Sequence, residues 1–155
     1  MSKMQENGNI VARNWFRIRV GGTVVAALMG PFLVFSGAYE ELSWSDVGIA
    51  FGGFCLLLPV GLLLYLWLQS KTYGFCRVRR PSWRNSPLDP YYPLDSLHFF
   101  GLLILTAGIG GSSLILIYGF KVLPYSCFIA APGAAMWLSV WLVYAMKSQA
   151  GAKTE

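Results

Sequence analysis

The amino-acid sequence predicts an all-α integral membrane protein, a bundle of four transmembrane helices with the N and C termini cytoplasmic. Three observations predict it. Apolar residues make up 55% of the chain and charged residues only 12%, about half the charged share of an ordinary soluble domain. Four apolar stretches without Asp, Glu, Lys or Arg are each long enough to cross a bilayer, which takes ~20 residues of helix. The basic residues gather almost entirely on one side of those stretches.

The domain plan is a cytoplasmic tail over 1–19, a transmembrane domain over 20–146 and a cytoplasmic tail over 147–155. Within the tail at 1–19, Val11, Trp15 and Ile18 can share one helical face, with Arg13 and Arg17 on another. That pattern suits either a short helix in the headgroup region or an extension of the first transmembrane helix into water.

The first span is expected over 20–39. Ser36-Gly37-Ala38, with Arg17 and Arg19 upstream, resembles a signal-peptidase site, but the apolar run exceeds the about 7–15 residues of a secretory h-region. The second span is expected over 47–69, the third over 98–120 and the fourth over 125–146. No water reaches the hydrocarbon to satisfy a free backbone group, so such segments are helices.

Helix-start signals agree with these limits. Ser43, Ser45 and Asp46 precede the second span, and Asp95 and Ser96 the third, where side-chain oxygens can accept first-turn N–H groups. Pro124 stands in the first turn of the fourth, where the missing N–H costs nothing. Pro31, Pro59 and Pro132 fall inside spans and can kink them.

Orientation follows from charge. Lys3, Arg13, Arg17 and Arg19 precede the first span, Lys71, Arg77, Arg79, Arg80 and Arg84 lie between the second and third, and Lys147 and Lys153 follow the fourth. The opposite side holds Glu40, Glu41, Asp46 and a single basic residue, Lys121. The positive-inside rule places the basic side in the cytoplasm, and a plasma or bacterial inner membrane is expected. The formal charge of +5 therefore points to lipid headgroups, not to nucleic acid.

The loop over 70–97 begins basic and continues rich in proline, with Pro81, Pro87, Pro90 and Pro93. Proline lacks an amide donor and fixes its own φ, so extended chain and turns are expected here. Arg77, Arg79, Arg80, Trp83 and Arg84 are its candidate contacts to lipid or to a partner.

Small residues recur at four-residue spacing, which puts them on one helix face and lets two backbones approach. Gly22, Ala26 and Gly30 do so in the first span, Gly48 and Gly52 in the second, and Ala107 and Gly111 in the third. These are the candidate residues for helix packing or partner binding.

Signals for chemistry are sparse. Cys55, Cys76 and Cys127 have neither disulfide nor metal-ligand spacing, and His98 is the single histidine. Asp89, Asp95 and His98 lie close in sequence, but no nucleophile accompanies them, and plainer roles account for them: Asp95 as a helix cap, Asp89 at the end of a turn and His98 in the interface. With no ionisable group inside the spans, proton- or ion-coupled transport loses its usual binding group. No catalytic residue, metal site or cofactor is assigned.

At the level of architecture the chain resembles small bacterial four-span proteins, among them immunity proteins and accessory subunits of larger complexes. The resemblance implies a non-enzymatic protein that binds another protein, or a second copy of itself, in or beside the bilayer. The alternative is a small oligomeric transporter or channel.

Overall fold

The structure, a computed structural model, describes residues 3–37, 42–73, 78–89 and 91–152. Every regular element among them is helical. Helix α1 (Lys3–Gly37) runs unbroken from the polar tail to the end of the first apolar run. The segment over 10–20 is therefore an extension of the long helix and not a separate one.

Helix α2 (Trp44–Tyr73) starts at a reciprocal cap. The Ser43 amide donates to the Asp46 carboxylate at 2.9 Å, and the Asp46 amide donates back to the Ser43 hydroxyl at 3.3 Å. Two first-turn donors are satisfied this way.

Helix α3 (Pro93–Gly111) starts differently from expectation. Pro93 takes the first helical position, and Tyr92, the N-cap, makes no side-chain bond. Asp95 does not cap the helix because its carboxylate is turned toward the loop. The helix also ends short of residue 120. A 3-10 turn (Ser112–Leu114), the short helix α4 (Ile115–Tyr118) and a second 3-10 turn (Gly119–Val122) follow. Gly119, at φ +71°, is the one described residue in the left-handed region, where a side chain would clash. Helix α5 (Leu123–Ala152) then begins with Pro124 in its first turn, as the sequence predicts.

Three helical stretches are long and apolar enough to cross a membrane: Val11–Ser36, Trp44–Lys71 and Pro93–Ser148. This make-up is compatible with a multi-pass membrane protein. The third stretch has 56 residues, about 84 Å if it were one straight helix against a hydrocarbon core of ~30 Å. It is instead folded back on itself, with α3 packed along α5. Gly101 lies against Gly133 and Trp137, and Gly108 against Ala130, so the two helices are antiparallel.

In cross-section the order is α1, α3, α5, α2. Helices α1 and α3 run in the same direction, Gly22 beside Phe99 and Gly30 beside Ala107 and Gly111. The close approach is made by missing side chains. A Cβ at Gly30 would overlap the carbonyl of Ala107, and one at Gly110 the carbonyl of Ala27. A Cβ at Gly133 would meet the amide of Leu105.

Helix α2 joins the bundle through one half. Leu62 and Leu66 form a buried cluster with Val140 and Val143 of α5 and Leu94 of α3, with Val78 of the loop packed against it. Gly48 lies about five turns before Leu66 and so shares its face. At Gly48, Gly52 and Gly53, however, an added Cβ would meet nothing within 4 Å. The glycine face of the first half of α2 is uncovered, although Val47, Ala50 and Leu58 of the same half are partly buried.

Candidate functional site

The loop end of the bundle holds a polar cluster assembled from α1, the loop, α3 and α5. Arg19 projects from α1 and is fully buried. Its Nε donates to the carbonyl of Asn85 at 3.0 Å and its Nη2 to the carbonyl of Asp95 at 3.1 Å. Its guanidinium also stands 5.3 Å from the Phe99 ring centre, within cation–π range. One side chain thus ties α1 to the loop and to the first turn of α3.

Asp95, 1% exposed, takes a separate set of partners. Its carboxylate accepts from Arg79 Nε at 2.6 Å and from Asn85 Nδ2 at 2.9 Å. Arg79 further stacks at 3.8 Å on the Tyr92 ring and stands 3.7 Å from Asp89. Asn85 completes the knot by donating to the carbonyl of Arg80 at 3.1 Å. A proline-rich loop too short for a core of its own is held down by these bonds and by buried Pro81 and Pro87.

His98 sits between Arg19 and α5. Trp137 Nε1 donates to its Nε2 at 3.1 Å, while its Nδ1 faces Arg19 Nη1 at 3.4 Å. Both neighbours are obligate donors, so an imidazolium, which donates at both nitrogens, would satisfy neither contact. The ring is a neutral acceptor at Nε2. Trp141 meets the same ring edge-on at 6.0 Å, and its own indole N–H is buried with no acceptor among the described residues.

Asp95 and His98 therefore do not form an acid–base pair, because each faces a different set of donors. Asp89 bonds to the Tyr91 amide and lies beside Arg79, apart from His98. Among the described residues no three His, Cys, Asp or Glu side chains converge. Thr106 and Ser139 are engaged within their own helices, donating to the carbonyls of Leu102 and Ala135, and Ser112 of the following turn donates back to Ile109 of α3.

The residues singled out from the sequence separate into two groups. Gly22, Gly30, Ala107 and Gly111 lie in the chain's own α1–α3 contact, and Ala26 is half-buried on the same helix. Gly48 and Gly52 face open space. In the loop, Arg79 belongs to the polar cluster, and Trp83 packs edge-on against Phe16 of α1 at 6.5 Å between ring centres. Arg80 is exposed. Arg84 lines a shallow cleft with Ala12, Arg13 and Phe16. Arg77 lies outside the described residues.

Arg19, Asn85 and Trp137 were not legible as site residues, and the spans are not free of charge at their ends. Arg19 reads as a topology signal one residue before the first span. The signal for its burial is its register: it precedes Gly22 by three residues and Ala26 by seven, which places it on the packing stripe.

Beside this cluster, α2 and α3 diverge into a groove of about 690 Å³. Leu57, Leu58 and Gly61 line it from α2, Leu97 and Phe100 from α3, and Pro87–Asp89 at the loop end. No protein-family model matches the chain, and neither the characterised proteins nor the solved structures compared with it yield a match.

Proposed function

We propose that this is a non-enzymatic, four-span protein of a plasma or bacterial inner membrane that binds another membrane protein through the first half of α2. In this reading Pro93–Ser148 crosses twice, and both termini and the 70–97 loop are cytoplasmic. The distribution of basic residues supports the orientation: eleven of the twelve lie at the loop end or in the tails.

The observation that carries the reading is the uncovered glycine face of α2. At Gly30, Gly108, Gly110 and Gly133 the glycine face is filled by a neighbouring helix, while Gly21 of α1 is open. On α2 the face that packs on α5 at Leu66 continues to Gly52 and Gly48 with nothing upon it. Membrane helices associate through such small-residue faces, since lipid provides no hydrophobic drive between them.

Gly52→Leu is the discriminating change. Gly30 cannot serve, because a side chain there would disrupt the α1–α3 contact and unfold the bundle. Purified in mild detergent from its native membrane, the wild type is expected to carry a membrane protein at matched stoichiometry, crosslinked from a photoreactive residue at position 48. Gly52→Leu is expected to lose that partner while melting at the wild-type temperature. Undiminished co-purification would count against the α2 face.

A further inference from the structure

We propose that the groove between α2 and α3 holds one phospholipid, its acyl chain along the groove and an amine-bearing headgroup at Asp89. The site is separate from the glycine face above: Gly61 and Gly52 are nine residues apart, about half a turn out of phase, and so point in opposite directions. The inference rests on the loop end lying at headgroup level and not on the protein-binding reading.

Size and position come first. The groove's 690 Å³ falls within the about 300–1,000 Å³ of small-molecule sites. Along α2 its lining runs from Phe54 to Gln69, about 22 Å of helix against ~15 Å for half the hydrocarbon core. It therefore extends through one leaflet and into the headgroup layer. Its α2 wall is apolar from Phe54 to Leu62 and turns polar at Tyr65 and Gln69, and Leu57 is 73% and Phe100 48% exposed. Nothing lies within 4 Å of a Cβ placed on Gly61.

Shape argues for a chain over a helix. Pro87, Leu88 and Asp89 bound the groove at the loop end. A transmembrane helix continuing toward that side would run into them. An acyl chain whose polar head turns out at that level would not.

Charge then selects the head. Among the described residues Asp89 is the one acidic or basic side chain lining the groove, beside the neutral polar groups of Tyr65, Gln69 and Ser96. Arg79 forms an ion pair with its carboxylate at 3.7 Å, longer than a hydrogen bond, and the Tyr91 amide takes one position on it. A carboxylate offers about four acceptor sites, so capacity remains for an ammonium group. An acidic headgroup without an amine brings no positive charge to that carboxylate.

The test uses the full chain in nanodiscs of phosphatidylethanolamine, phosphatidylglycerol and phosphatidylcholine with matched acyl chains, read by native mass spectrometry of bound lipid. The wild type is expected to retain one lipid, with phosphatidylethanolamine about tenfold over phosphatidylglycerol. Gly61→Trp fills the groove and is expected to abolish retention, whereas Leu56→Trp, on the exposed side of α2, retains it. Asp89→Asn is expected to keep a lipid and lose the headgroup preference. Three results would each overturn the proposal: a wild type that retains no lipid, a wild type that prefers phosphatidylglycerol, or a folded Gly61→Trp that keeps its lipid. Loss of a protein partner or of a second copy from Gly61→Trp, with lipid unchanged, would overturn it too by identifying a helix as occupant.

Discussion

The buried residue Asp95 depends on Arg79 more than on any residue of its own helix. Its carboxylate is 2% exposed, while Arg79 reaches it from the loop with a third of its side chain still in contact with solvent. Removing one partner of a buried ion pair leaves the other charge uncompensated, at ~3–5 kcal/mol when both are fully buried. With Arg79 partly exposed, Arg79→Ala is expected to cost about 2–3 kcal/mol. Replacing both groups by apolar residues, Arg79→Met with Asp95→Leu, is expected to recover most of that loss, because no charge remains to be desolvated. Thermal unfolding in detergent of the single and double variants separates the two cases. A single variant as stable as the wild type would show that Asn85 alone satisfies Asp95. The sequence displays Asp95 and His98 openly, yet not their partners, since Arg19 and Trp137 arrive from helices distant along the chain.

At the scale of the element, glycines of similar spacing have opposite roles. A Cβ at Gly133 would meet Leu105 N and Gly101 O, both backbone atoms that cannot rotate away. Gly133→Ala is expected to force α3 and α5 apart and to cost about 1–3 kcal/mol, the range of overpacked cores, while Gly52→Ala is expected to be neutral or slightly stabilising. Melting curves of the two variants test the assignment, and equal losses would refute it. Which stripe is filled could not be read from spacing, because spacing fixes a face of a helix and not what lies opposite. Local signals did better. The start of α2 was legible in Ser43 and Asp46, and that of α5 in Pro124, since caps and first-turn prolines act within one turn. The early end of α3 was not legible: the run from Leu114 to Tyr118 stays apolar, and periodicity cannot distinguish a tightened turn from a continuing helix.

For the whole molecule the decisive quantity is the number of crossings made by Pro93–Ser148. Helices α1 and α3 run in the same direction and touch at matched heights, from Gly22 and Phe99 to Gly30 and Gly111. If α1 crosses the bilayer, α3 lies at the same depth over the same length, and antiparallel α5 returns. A hairpin that turned within the hydrocarbon would leave the exposed Lys121 there, at about 2.5–3.5 kcal/mol for a charge near the midplane. Crossing twice places Lys121 in water. Single cysteines in a cysteine-free background, tested with a membrane-impermeant reagent on sealed vesicles, decide the matter. Cysteines replacing Arg13, Ser86 and Ser148 are expected to label from one side, and those replacing Ser45 and Phe120 from the other. Labelling of positions 120 and 148 from the same side would reduce the stretch to a re-entrant hairpin. It would also remove the basis for placing Asp89 and the open end of the groove in the cytoplasmic headgroup layer.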